Sequence, residues 1–230
     1  MISLGNKRAD DKHEFAAPTL GELVLLFVIA SVVGLIGETI VSYPVDGVWK
    51  DRAGLLWGPF SPIYGLGAVL MTVLLAPVRT KSTPVLFVVA AVVGAAFEYA
   101  VGRFWETFFG IVAWSYQSHP LNIGGHTCVC VAVMWGVLGV AWTRIALPWL
   151  LGVIRRIPRG ATSVLSGLFA VFLAVDIVMT FAAFECWYDR HAGNAPDTAV
   201  EQYFAQHYGD DFMTARFQTM SMYTELALRG

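Results

Sequence analysis

From Leu20 to Tyr43 the chain carries only two charged side chains, Glu22 at the start of the run and Glu38 near its end. A helix needs about 20 apolar residues to cross the hydrocarbon layer of a bilayer. Inside lipid every backbone N–H and C=O must be satisfied within the segment, which leaves the helix as the form such a run takes. Similar runs follow further along the chain. Only 14% of the 230 residues are charged, against about 25% in a soluble domain, too few to wet a whole surface. The reading is an all-α, polytopic helical protein of the cell membrane. It has about five transmembrane helices, a re-entrant or interfacial segment and a small helical C-terminal tail. The expected divisions are a polar N-terminal segment over 1–18, a transmembrane domain over 19–186 and a polar helical tail over 187–230.

Taken in order, the first span is expected over Leu20–Tyr43, with Pro44 and Gly47 breaking it. Pro59 and Pro62 each lack an N–H donor, so Trp57–Pro62 reads as the re-entrant or interfacial piece and Ile63–Ala76 as a short second span. Pro84 suits the first turn of a third span over Val85–Phe109. Gly94, Ala95 and Gly102 give that span a stripe for close helix packing, and Gly136 and Gly139 do so for the fourth. The fourth span is expected over His126–Ile145, ended by Pro148 and the arginines beyond it, and the fifth over Val164–Phe184. In the tail, Val200, Tyr203, Phe204 and His207 recur at helical spacing. A second tail helix, with Phe212, Phe217 and Met220, is expected after Asp211.

Lys and Arg near span ends set orientation. An N-terminus inside puts nine of them on the cytoplasmic side, Lys7, Arg8, Lys12, Arg79, Lys81, Arg144, Arg155, Arg156 and Arg159, against Lys50, Arg52 and Arg190 outside. The expected arrangement is therefore multi-pass, N-terminus cytoplasmic, C-terminus outside. The net charge of −2 and the lack of a run rich in Lys and Arg predict no nucleic-acid partner. No Walker A sequence is present, so ATP coupling would need another chain. Cys128 and Cys130, two apart on a helix, would point about 200° apart and could not share a metal ion; no metal is expected. A bridge from one of them to Cys186 is the alternative to three free thiols.

The stretch from Phe97 to Trp135 concentrates the chemistry. Glu98 falls near mid-membrane, and ionisable groups there are costly enough to mark function by default. It would bind a cation or an amine, or relay a proton; the competing reading is a buried carboxyl bonded to the next helix. Arg103 and Glu106, three apart on one helix face, can pair. His126 is expected to open the fourth span, where backbone N–H groups favour an anion, or to serve as an acid or base near neutral pH. Asn122 is read as holding loop backbone. Glu38 would share a cavity with Glu98 or sit exposed at the rim. Trp57, Tyr64, Trp114 and Tyr116 line a pocket or belong to an interfacial aromatic belt. Asp176, inside the fifth span, needs a partner from another helix.

Two stretches carry a family signature. The first is Gly54-Leu-Leu-Trp57-Gly58-Pro59-Phe-Ser-Pro62-Ile-Tyr64-Gly65-Leu-Gly67. The second is Glu98, Glu106, Phe109-Gly110, Trp114-Ser115-Tyr116, Pro120, Asn122, Gly125-His126, Cys128 and Trp135-Gly136. Over roughly residues 20–145 the chain resembles the ABC-transporter type IV, or CmpB-like, integral membrane proteins. It departs from that pattern in having Ser115 for an Asp, His126 for an Arg, and Arg52-Ala-Gly54 for an Arg-Gly pair. Asp176 and the tail lie outside the resemblance.

The resemblance implies transport of a small polar solute through an outward-facing polar pocket. The expected partners are the lipid bilayer, a small polar ligand, and either a second copy of the chain or a separate ATPase subunit. The rivals are a membrane-embedded enzyme on a lipid-linked or small substrate, using Glu98 or Glu106 with His126, and a non-catalytic scaffold or sensor subunit. Two short tail helices cannot bury their apolar faces on each other alone, so the tail is expected to dock over Trp57, Phe60, Trp114 and Tyr116.

Overall fold

The computed structural model of the protein describes residues 16–218 and 221–222. Lys7, Arg8, Lys12 and Met220 of the expectations above lie outside them. The architecture is all-α and polytopic. Among the described residues four helices are long and apolar enough to cross a membrane: Leu20–Pro44, Thr83–Phe109, Val129–Ile154 and Arg159–His191.

Helix α1, Leu20–Asp46, opens on a capping box, in which Thr19 N–H donates to Glu22 Oε2 at 2.8 Å and Glu22 N–H donates to Thr19 Oγ1 at 3.3 Å. Glu22 interrupts the apolar run because it starts the helix, and it also takes Arg155 Nε at 2.7 Å. Pro44 does not break α1 as expected. It sits inside the last turn, and the helix stops at Gly47, whose left-handed φ of 71° suits a residue without Cβ.

After α1 the chain runs without helix or strand until α2, Pro62–Leu74, which opens with Pro62 in its first turn. At 13 residues α2 reaches about 20 Å, short of the roughly 30 Å hydrocarbon layer. The rest of the crossing is made by the irregular chain before it, where Ala53, Leu55, Leu56, Phe60 and Ser61 are buried against protein. Irregular backbone at membrane depth requires such cover.

Helix α3 is Thr83–Phe109, with Pro84 in its first turn and Gly110 as its left-handed end. The fourth crossing begins at Val129, three residues later than expected, and does not stop at Pro148. Its parts are α4 (Val129–Ala141), a π turn (Trp142–Ala146) and α5 (Leu147–Ile154). Leu147 N–H bonds Trp142 O across the wider turn. The register change lets the helix continue through a proline that has no N–H to give. Helix α6, Arg159–His191, overruns its expected span at both ends.

Helix α3 packs most closely on α4, and α1 on α2 and α6. In the α3–α4 seam the Trp135 side chain lies directly on Gly94, with no room for a Cβ. Gly136 takes Phe87, Gly139 takes Ala90, and Gly102 takes His126, so the small-residue stripes do seat neighbouring side chains.

The tail forms α7, Ala199–His207, and α8, Asp210–Arg216. Phe204, Met213 and Phe217 are buried in one cluster with Leu56, Ile111 and Phe184. A two-residue strand β1, Ile111–Val112, pairs antiparallel with β2, Ser221–Met222. The tail, the chain before α2 and the loop after α3 share one face. The start of α1 and the end of α5 meet on the opposite face, where Arg155 also bonds Ala16 O at 2.9 Å.

Candidate functional site

The expected site residues fall into separate clusters. Glu98, buried in α3, accepts Tyr116 Oη–H at 2.7 Å on one oxygen and Trp135 Nε1–H on the other. Tyr116 comes from the loop after α3 and Trp135 from α4, so this carboxyl ties three segments together. Burial, then the bonded Glu98, then the more distant Glu38 push the Tyr116 phenol above its ordinary range. Both carboxylates therefore act on that one hydroxyl.

Glu38 takes Arg52 Nη1 at 2.9 Å and Tyr64 Oη at 2.9 Å. Tyr64 lies over Gly34 of α1, where a Cβ would collide with its ring. Glu106 is the hub of the third cluster, 3.2 Å from Arg103 Nη1 and 3.0 Å from His126 Nε2. His126 is not on a helix: it lies in the loop, and Cys128 is the N-cap of α4. The reading of His126 as an anion site at a helix N-terminus is thereby corrected. Its ring sits against Gly102 and edge-on to Tyr99, and Trp114 Nε1–H bonds its carbonyl at 3.0 Å. Asn122 donates to Gln117 O and His119 O and accepts from Gly125 N–H, all of them loop backbone.

Cys128 and Cys130 form a disulfide, with Cα atoms 5.5 Å apart, and Cys186 is free and buried. Neither three free thiols nor the alternative bridge to Cys186 is found. Cys128 is not a helical position two residues before Cys130: it is extended at φ −150° and ψ 171°, outside α4.

A fourth cluster surrounds the chain before α2. A cavity of about 520 Å³ opens between it and the tail, lined among others by Leu35, Asp51, Trp57, Gly58, Phe212 and Arg216. Of the expected site residues only Trp57 lines it. Arg216 Nε donates to Leu55 O at 2.9 Å, Nη1 to Asp51 Oδ2 at 2.8 Å and Nη2 to Gly58 O. Trp57 Nε1–H donates to Tyr208 Oη at 3.1 Å. From the other side Leu56 N–H bonds Thr180 Oγ1 at 2.9 Å and Trp57 N–H bonds Asp176 Oδ1 at 3.1 Å. Phe60 turns to Phe172 of α6. The tail thus docks on Trp57 as expected, while Trp114 and Tyr116 engage His126 and Glu98 instead.

Sequence reasoning missed Arg216 and Asp51. An Arg closing a tail helix that begins with two Asp residues is ordinary helix chemistry, and nothing in its spacing announces three partners more than 150 residues away. Asp176 was noticed, but its partners were sought on another helix rather than in loop backbone and on its own helix.

The profile of a protein family described as "Putative ABC-transporter type IV" matches residues 25–181. The chain belongs to this family. The match spans α1 to most of α6 and includes Asp176, which the resemblance read from the sequence had left out; α7 and α8 lie beyond it. The protein is accordingly a multi-pass, transporter-type membrane protein. No curated protein and no solved structure matches the chain.

Proposed function

We propose that the protein passes a small polar solute across the cell membrane, with the cavity between the chain before α2 and the tail as its outward-facing entrance. The observation that carries this reading is the short helix α2, completed by buried, irregular chain that opens on a cavity of about 520 Å³. Broken crossings of this kind place backbone groups where solutes bind in carriers. Trp57 and the Arg216–Asp51 pair give the entrance an aromatic wall and both signs of charge. Glu98, Tyr116, Tyr64 and Glu38 would supply further polar groups along the path, with Arg103, Glu106 and His126 flanking them. Asn122 and Trp114 hold the loop that carries Tyr116. In this reading the transmembrane domain over 19–186 is the path and the tail over 187–230 its cover. Because the chain has no Walker A sequence, energy from ATP would enter through a separate ATPase subunit, and a second copy of the chain would complete the path.

The test begins with a thermal-shift panel of small polar solutes on purified protein, followed by uptake of any hit into proteoliposomes. Trp57→Ala should weaken both readouts. Uptake no faster than in empty vesicles, or stabilisation indifferent to Trp57→Ala, overturns the reading. A second reading, acid–base chemistry on a small or lipid-linked substrate, draws on the 3.0 Å contact between His126 and Glu106. It predicts a covalently altered product that His126→Ala abolishes.

A further inference from the structure

The four residues Leu55–Gly58 are held from both sides. Outside, Arg216 takes the carbonyls of Leu55 and Gly58. Inside, the amides of Leu56 and Trp57 bond Thr180 and Asp176 of α6. Asp176 is fully buried, and its Oδ1 also accepts Thr180 Oγ1–H at 3.4 Å. Its other oxygen, Oδ2, is buried and has no hydrogen-bond partner among the described residues. It lies within the apolar run of α6, about two turns before Phe184.

A buried carboxylate with one oxygen unpaired is among the costliest groups a protein can hold, and the neutral acid is far cheaper. The surroundings offer little to pay for a charge. On the α1 side Val28 and Val32 pack with Leu173 and Ile177. Toward α3, Trp105 and Phe109 pack with Phe184. The charged group that acts on Asp176 from an adjoining element is Arg216, on the far side of the Leu55–Gly58 chain and already paired with Asp51.

We infer that Asp176 is a proton-binding site and that its proton latches the Leu55–Gly58 segment shut. With the proton on Oδ2 the side chain is neutral, its Oδ1 still accepts Trp57 N–H, and the segment stays seated. When the proton leaves for water, the carboxylate that remains needs hydration. The segment that separates it from the cavity must then lift, drawing the Arg216 clamp and the tail with it. One O–H bond breaks, its electron pair stays on Oδ2, and no electron is transferred. This inference rests on the transport reading only in calling the cavity an entrance; the proton and the latch stand on the geometry of Asp176.

The experiment is backbone amide exchange on the full-length protein in lipid nanodiscs across the pH range, followed in peptides covering 53–60 and 199–217. In the wild type these amides should open with pH beyond the rise that base catalysis gives any amide, by about tenfold per pH unit, the slope of an opening that releases one proton. Asp176→Asn keeps an oxygen for Trp57 N–H and has no proton to lose, so its extra slope should vanish. Thr180→Val removes a brace but not the proton; it should open more at every pH and keep the slope, which preserves the test if the Asn variant fails to fold. An extra slope retained in Asp176→Asn, or absent from the wild type, overturns the inference. So does protection restored by sodium at alkaline pH, which would make the ligand a metal cation. A proton-linked opening in a protein that moves no solute would sink the transport reading and leave the site standing.

Discussion

Glu98 has no oxygen to spare, and that decides what its substitution does. Tyr116 and Trp135 both donate to it, so Glu98→Gln presents an NH2 group to one of two donors. One buried donor is left without an acceptor, a loss of about 1–3 kcal/mol. Thermal unfolding in detergent should show this, with the variant still inserting and its transport lost. Tyr116→Phe removes one donor and should cost less at neutral pH. The Tyr116 phenol is raised in the folded protein by burial and by Glu98. Its contribution is therefore complete below the ordinary phenol value and is lost as pH climbs above it. A pH titration of the melting temperature should fall in the alkaline limb for the wild type, and less steeply for Tyr116→Phe. Glu106→Gln is a milder change. Its pair with Arg103 is largely exposed, and such pairs contribute about 0–1 kcal/mol.

At the scale of elements the α3–α4 seam is the most demanding contact. A Cβ on Gly94 would overlap Trp135, so Gly94→Ala must part the two helices or turn the indole away from Glu98. Overpacking of this kind costs about 1–3 kcal/mol, and the same melting experiment should show Gly94→Ala destabilised while Gly152→Ala, in open space, is not. The crossings themselves were legible because hydrophobic run length is a local property of the chain. So were Pro84 as a helix starter and the tail helices as elements that must dock, whereas Pro62, read as part of the irregular piece, in fact opens α2. The fourth crossing was misread at both ends. A capping Cys at 128 carries none of the usual side-chain oxygen signals. Pro148 is an honest stop signal that the π turn at Trp142–Ala146 bypasses, and no residue type encodes that turn. The candidate site was legible only in part. Glu98 and Glu38 stand out as carboxyls in apolar runs, Tyr64 and Tyr116 as aromatics of a pocket or an interfacial belt, and Arg103 with Glu106 by spacing. Which groups meet, and that the cavity lies beside Trp57 rather than Glu98, depends on contacts between distant segments that no local pattern records.

For the whole molecule, the charges at the helix ends bear on which face meets the cytoplasm. The Lys and Arg balance predicts that the tail face lies outside, so a reporter active only outside should work after Gly230 and fail at Gly160. The disulfide belongs to the same face. It requires an oxidising compartment, and thiol counting on protein purified without reductant should find one free cysteine, Cys186, rather than three. Reduction should leave the tail docked, since its contacts do not involve that pair. The helix count has one more consequence. Four full crossings alone would return the chain to the side it started from, yet the start of α1 and the tail lie at opposite faces. The parity is made odd by α2 and the irregular chain that completes it. The least regular crossing therefore decides the sidedness of everything after residue 75. Any substitution that let it slip out of the bilayer would do more than damage an entrance: it would turn the remaining three helices, with every loop and the tail, inside out.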